Sequence, residues 1–297
     1  MRLEAPAKLN LCLYLGLRRD DGLHELVSLF EPLALSDAIE VGELPAGARD
    51  EVRCPGVEGE NLAARALAAL RERGWQAPPL RLEIEKRIPV AAGLGGGSAD
   101  AAAVLRLASG ELVANSATNS PDAPRLDLPA IAAELGADVP SQLEPAFALV
   151  RGAGERVEPL PAPPPHAVVL LPCGGGLSTA AVFAEADRLG LGRDAEELEA
   201  IAARLRGAAD GGASPLDYAE LLVNDLEPAA RSLRPEIGDA LDALRAAGAP
   251  LVLLSGSGPT AVGLFGAMAP AKSAAASLGR DDAIVCEAGG APGGPVR

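Results

Sequence analysis

Four glycines crowd into the stretch "IPVAAGLGGGSADAA" (88–102), namely Gly93, Gly95, Gly96 and Gly97. A glycine cluster entering a helix aims free backbone N–H groups and the positive end of the helix dipole at one spot. It also lets a bulky anion reach the backbone without meeting a Cβ, so the natural occupant is a phosphate. The known phosphate loops are absent. A Walker loop needs lysine before Ser98, where this chain has Gly97, and a dinucleotide fingerprint counted from Gly93 needs glycine where Ser98 stands. Four further stretches carry polar chemistry: "APAKLNL" with Lys8 and Asn10, "GLH" with His24, "GADVP" with Asp138, and "SGSGPT" from Ser255 to Thr260. Lys8 and Asn10, two apart in a strand pattern, project from the same face.

Each of these also has a plain structural reading. The glycines can form a surface turn without a ligand. Lys8 can guard a strand edge, and His24 can be an ordinary structural polar residue. Asp138 can cap a helix that begins near Pro140. Asn61 is adequately explained as a helix cap, and "SGSGPT" as a tight hairpin.

The elements that position these residues follow from periodicity. "LRLEIEKRI" (80–88) alternates as a strand, and "SADAAAVLRLAS" (98–109) reads as a helix closed by Gly110, which places the glycines in a strand-to-helix turn. "HELVSLFEPLALSDAIEV" continues a strand-like N-terminal pattern, and "NLAARALAALRERG" is a helix with Asn61 as its cap and Gly74 past its end. "VANSATNSPDAPRL" (113–126) is a loop, "LPAIAAELG" a short helix and "AFALVRG" a strand. The proline-rich "PLPAPPPH" marks a domain boundary. Beyond it come the strand "AVVLLP", helices over "STAAVFAEADRLG", "AEELEAIAARLRG", "DYAELLVNDLEPAAR" and "EIGDALDALRAAG", the stretch "LVLLSGSGPTAVGLF", and a last helix and strand. We expect a mixed α+β chain with domains over 1–160 and 161–290 and a disordered tail over 291–297.

With 297 residues, 48% of them hydrophobic, the chain has ample material for two cores. The formal charge of −15 argues against a nucleic-acid or membrane-surface partner, because such binding draws on clustered Lys and Arg. An anionic ligand must be held locally by amides, a few placed cations and Mg²⁺. Cys12, Cys54, Cys173 and Cys286 have neither disulfide nor zinc spacing, which suits a reduced, cytoplasmic protein, and no apolar run reaches the length of a membrane span.

In their order, these motifs resemble the GHMP kinase superfamily, whose ATP loop begins P-x-x-x-G-L-G. The resemblance runs from "PAKLNL" to "SGSGPT" and, with "DGLHEL" and "LGADVP", points to the branch that acts on a cytidine-diphosphate-linked methylerythritol in non-mevalonate isoprenoid synthesis. It implies two α+β domains, the first like domain 2 of ribosomal protein S5 and the second ferredoxin-like, with the active site in the cleft between them. It implies ATP and Mg²⁺ as cofactors. Pro89, Val90, Ala91, Ala92, Gly93, Leu94, Gly95, Gly96, Gly97, Ser98 and Ala99 then wrap the ATP phosphates, with Ser98 the candidate metal contact. Asn61 and Lys86 match adenosine-contacting positions, and Lys8 and Asp138 match the catalytic pair. His24, Thr179 and Phe183 match positions around the cytidine diphosphate, and the resemblance adds Asn10, Leu23, Ser255 and Gly256 to the substrate contacts.

Phosphoryl transfer is mostly positioning and charge neutralisation, so a carboxylate at the attacking hydroxyl and a cation near it suit the reaction. Beside Asp138, the Lys8 ammonium favours the ionised carboxylate. The chain departs from the family where "GYH" becomes "GLH" at Leu23 and "GADVPFF" becomes "GADVPSQ" at Ser141 and Gln142, both on the base-binding wall. Two other readings stand beside this one: a GHMP kinase for another small alcohol, and a sugar- or nucleotide-binding sensor of the same fold without catalysis. Lys8 and Asp138 speak against the sensor; His24 and Phe183 speak against a simple sugar or amino-acid substrate.

Overall fold

The computed structural model describes residues 1–109 and 126–290. Gly110 as the helix terminator, all but the last residue of the loop read over 113–126, and the tail 291–297 lie outside the described residues. The chain groups into two compact units. Among the described residues the first holds 1–7, 35–90, 95–109 and 126–144, and the second holds 8–34, 91–94 and 145–290. Two long strands supply residues to both: β1 (Arg2–Arg18) and β2 (His24–Glu43), which pair with each other.

In the first unit, the end of β2 runs antiparallel to β4 (Leu80–Glu85), and β4 runs parallel to the short β3 (Glu51–Arg53). Leu80, Leu82 and Ile84 are buried while Glu83 and Glu85 are exposed, the alternation that the sequence pattern requires of a strand with one covered face. Helix α1 (Leu62–Glu72) starts at Asn61, whose side-chain oxygen accepts from Ala63 N at 2.8 Å and Ala64 N at 3.3 Å, and so takes up two of the donors that every helix start leaves open. Helix α2 (Gly96–Arg106) begins two residues earlier than the expected start at Ser98 and takes two of the glycines into its first turn. Residues 99–105 of α2 are all buried, as befits an alanine-rich helix enclosed on every side. Two short helices, α3 (Leu128–Leu135) and α4 (Val139–Leu143), add Ile131, Ala132, Leu135 and Val139 to this core.

The second unit carries an antiparallel sheet in the order β10 (Ile284–Ala288), β7 (His166–Pro172), β9 (Thr260–Phe265), β8 (Leu251–Leu254). The start of β2 pairs with β5 (Ala148–Gly152), which pairs with β6 (Arg156–Pro159). Helices α5 (Thr179–Leu189), α6 (Ala195–Ala209), α7 (Glu227–Leu233), α8 (Glu236–Ala246) and α9 (Met268–Leu278) complete it. Leu226, Ile237, Leu241 and Leu244 pack with Val169 and Leu171 in one core.

The single helix expected over "DYAELLVNDLEPAAR" is absent. A 3₁₀ segment over Pro215–Leu221 and then α7 flank an extended break. The break pairs with β1: Leu13 N donates to Val223 O at 2.9 Å and Asp225 N to Leu13 O at 2.8 Å. A strand partner more than 200 residues upstream outweighs local helical propensity, and Pro228 then restarts the helix at a position that needs no N–H. Among the described residues no helix is long and apolar enough to cross a membrane.

Candidate active site

The phosphate-loop residues divide between the units. Pro89 and Val90 belong to the first, Ala91, Ala92, Gly93 and Leu94 to the second, and Gly95, Gly96, Gly97, Ser98 and Ala99 to the first again.

In the first unit, Gly95 caps α2 in the left-handed region at φ 69°, so the N–H groups of the first turn have no side-chain cap. Directly behind lies a charged triad. Lys86 Nζ bonds Asp37 Oδ2 and, at 2.8 Å, Asp100 Oδ2, with the three side chains 13%, 0% and 4% exposed. Asp37 also accepts from Arg87 N at 2.6 Å and Ile88 N at 2.9 Å, and so pins the backbone just before Pro89. One ammonium thus serves two carboxylates, and the deficit falls on Asp100. Its Oδ1 is buried without a hydrogen bond, and burial, opposed by Lys86, pushes its carboxyl up to about 6. Burial works against the charge on Lys86, but Asp100 and Asp37 outweigh it and hold the ammonium above the usual lysine range. Asn61, described above as the α1 cap, spends its side-chain oxygen on the helix.

Asp138, half-buried, stands at the start of α4 but makes no side-chain cap hydrogen bond. The helix-cap explanation of this carboxylate is therefore not what the fold uses. The first turn is tied instead by Ser141 Oγ, which donates to Asp138 O at 2.9 Å.

In the second unit, Lys8 and Asn10 do share a face of β1, with Lys8 Nζ donating to Asn10 Oδ1 at 2.5 Å. The Phe30 ring centroid lies 4.6 Å from the same Nζ, a cation–π contact. Ser255 Oγ donates to Gly93 O at 3.0 Å and accepts from Asn10 N at 3.4 Å. Ser257 and Thr179 hydroxyls meet at 3.0 Å. "SGSGPT" is thus both a hairpin turn between β8 and β9 and a cluster of polar groups. His24 is buried, bonded through Nε2 to Asp187 Oδ1 at 2.8 Å, with its ring 5.1 Å from that of Phe183. Leu23 beside it is 53% exposed.

Gly93 has no room to be anything else. It sits at φ 75°, and a Cβ there would come 2.7 Å from the backbone oxygens of both Ser255 and Gly258. Gly93→Ala is expected to lower stability by about 1–3 kcal/mol from backbone strain alone, with the clash adding to it; a thermal melt that matches the parent would contradict this. Nearby Ala91 holds φ 53° without glycine's freedom, a strained residue in the same loop.

Four residues that the sequence pattern does not flag complete these arrangements. Asp37 and Asp100 hold Lys86. Asp187 follows Phe183 by one helical turn on α5, a spacing that puts both on the face meeting His24. Asn224, in the break before α7, donates Nδ2 to Leu254 O and Gly256 O at 2.8 and 2.7 Å and so holds the Ser255–Gly256 turn.

Residues 61–145 match the family model described as the GHMP kinases N terminal domain, and residues 214–282 match that of the GHMP kinases C terminal, together more than half the chain. The chain belongs to the GHMP kinase family. This GHMP kinase is 44% identical over 265 residues to the 4-diphosphocytidyl-2-C-methyl-D-erythritol kinase of Streptomyces coelicolor, covering 87% of this chain and 85% of that protein. It is 41% identical over 292 residues to the kinase of the same name from Thermobifida fusca, covering 93% and 90%. A crystal structure of a 4-(cytidine 5'-diphospho)-2C-methyl-D-erythritol kinase matches it with a TM-score of 0.75 at 36% identity, covering 98% of this chain and 100% of the other. The two-domain α+β GHMP kinase fold and small-molecule kinase activity expected from the motifs are therefore those of its family.

Proposed function

We propose that this GHMP kinase transfers the γ-phosphoryl group of ATP to the 2-hydroxyl of 4-diphosphocytidyl-2-C-methyl-D-erythritol, giving the 2-phosphate and ADP. The carrying observation is its identity, through both halves of the chain, to kinases that bear that substrate's name. A coupled ADP-release assay tests it with four acceptors: the cytidine-diphosphate-linked methylerythritol, free methylerythritol phosphate, mevalonate and homoserine. ADP release is expected with the first alone; equal or faster release with mevalonate or homoserine would contradict the assignment.

The roles follow from charge. The loop Pro89 to Ala99 cradles the phosphates, its N–H donors running from Val90 onward, Lys8 offsets charge that develops on the transferring group, and Asp138 orients the acceptor hydroxyl and takes its proton. Asn61 and Lys86 are assigned to the adenosine by their match to the family's positions. Among the described residues no group of three or more His, Cys, Asp or Glu side chains could hold a metal ion by itself. For a Mg²⁺ that accompanies ATP, the Ser98 hydroxyl in the first turn of α2 would be this chain's contact. Bound there, the ion supplies charge neutralisation on the phosphates.

The cytosine is assigned to Leu23, His24 and Phe183, with Thr179, Asn10, Ser255 and Gly256 along the rest of the substrate. The Phe183 ring already packs, tilted, against the His24 ring, and the exposed Leu23 offers the base an aliphatic wall where the family has a ring. Leu23→Tyr is expected to lower KM for the cytidine substrate up to about tenfold with kcat little changed, since base stacking is worth roughly 1–3 kcal/mol and acts on ground and transition states alike. Phe183→Ala is expected to raise KM. A KM indifferent to both substitutions would place the base elsewhere.

A further inference from the structure

The polar chain that reaches Lys8 begins at a backbone carbonyl. Ser28, fully buried on β2, donates its hydroxyl to Cys12 O at 2.5 Å. A hydroxyl has one proton, so towards any other group Ser28 Oγ is an acceptor. Asn10 Nδ2 donates to it at 3.0 Å. That contact decides which way the Asn10 amide points, because the hydrogen-bond network around an amide settles its flip. With Nδ2 on Ser28, Oδ1 is left facing Lys8 Nζ.

The reversed amide has no good partners. It sets Oδ1 against a hydroxyl oxygen whose proton is already committed, and its NH₂ against an ammonium. Ser28, Asn10 and Lys8 are 0%, 2% and 5% exposed, so water cannot repair either contact cheaply. Gly256 shapes the same spot, since a Cβ there would come within 3.0 Å of Asn10 Oδ1. Phe30 lies two residues after Ser28 on the same face of β2 and presents its ring to Nζ. One face of β2 thus holds the lysine head from two sides, through the amide oxygen that Ser28 orients and through the ring.

We propose that Ser28 is a positioning residue for the phosphoryl transfer: through the Asn10 amide it sets the location of the Lys8 ammonium. This rests on the assignment of Lys8 to the reaction. Ser28 itself touches no reactant. Its effect is on a long side chain that otherwise has many rotamers to choose among.

The test uses the full chain with Ser28→Ala, Ser28→Thr, Lys8→Met and the double variant Ser28→Ala/Lys8→Met, measuring kcat, KM for both substrates, and ADP affinity by calorimetry. Ser28→Ala is expected to lower kcat about 10- to 100-fold, the scale of a roughly 1 Å misplacement of a catalytic group, while KM for ATP and ADP affinity stay within about twofold. Ser28→Thr, which keeps an Oγ on the same branch, brings kcat back to within about threefold of the parent. In the Lys8→Met background Ser28→Ala adds no further loss, because two residues acting through one group are not additive. Parental kcat in Ser28→Ala, a loss that persists undiminished in the Lys8→Met background, or a loss matched by weakened ADP binding overturns the proposal. Parental turnover in Lys8→Met removes the reading of Lys8 itself, and the proposal with it.

Discussion

Asp138→Asn is expected to bind ATP as the parent does and to turn over on the order of 10²–10⁴-fold more slowly, the range that a positioned acid or base contributes. The amide keeps the shape of the side chain and loses the charge that receives or orients the hydroxyl proton. No helix cap is lost, because the Asp138 carboxylate makes no cap hydrogen bond to α4. Lys8→Met is expected to follow the same pattern: slow turnover with nucleotide affinity retained. The two measurements that decide are kcat and the melting temperature of each variant. Near-normal kcat with an early melt in Asp138→Asn would return this residue to a structural role.

The largest stability effect is expected at Lys86. Its ammonium bridges Asp37 and Asp100, all three side chains being largely buried. Lys86→Met leaves two buried carboxylates facing each other without compensation, which costs about 3–5 kcal/mol at neutral pH when one partner of a buried pair is removed. Urea unfolding of the nucleotide-free protein measures this apart from any effect on ATP binding, and an unchanged midpoint would contradict it. The triad also has a pH signature. Burial raises the Asp100 carboxyl from 3.8 to about 6, so the folded state holds that proton more tightly than the unfolded chain. The resulting stability is fully present below pH 3.8 and is lost as pH rises through about 6. Asp100→Asn carries no charge at any pH. Its stability relative to the parent is therefore expected to climb across that window and level off above it, by on the order of 3 kcal/mol. A difference that is flat with pH would show that Asp100 does not titrate there.

What was legible in the sequence is what local pattern decides. The alternation of β4, the Asn61 cap, the helix after the glycines and the shared face of Lys8 and Asn10 all stand in the structure where periodicity puts them. The failures have one physical cause, a partner far away in the chain. Leu222 to Asp225 read as helix until β1 is there to pair with. Asp37 in "LSDAIEV" looks like a polar residue on a strand, yet it is fully buried because Lys86, 49 residues on, neutralises it. Asp187 is an exposed helix residue whose partner, His24, stands 163 residues earlier, so nothing local shows that it is bonded. Ser28 gives no signal except its period-2 relation to Phe30, since its importance lies in the direction of one hydroxyl proton. The first turn of α2 starts at Gly96 because Gly95, in the left-handed region, ends the loop there.

The measurement that bears most directly on the central claim is proton-coupled phosphorus NMR of the product made from ATP and 4-diphosphocytidyl-2-C-methyl-D-erythritol. The carbon that bears the 2-hydroxyl also carries the methyl branch and has no hydrogen. A phosphate placed on it therefore gives a phosphomonoester resonance unsplit by protons across the ester bond, appearing in step with ADP while the diphosphate bridge to cytidine stays intact. That is the result expected of this GHMP kinase. A phosphomonoester resonance split by neighbouring protons would mean transfer to a primary or secondary hydroxyl, and no new phosphomonoester at all, with ADP formed from mevalonate or homoserine instead, would contradict the substrate itself.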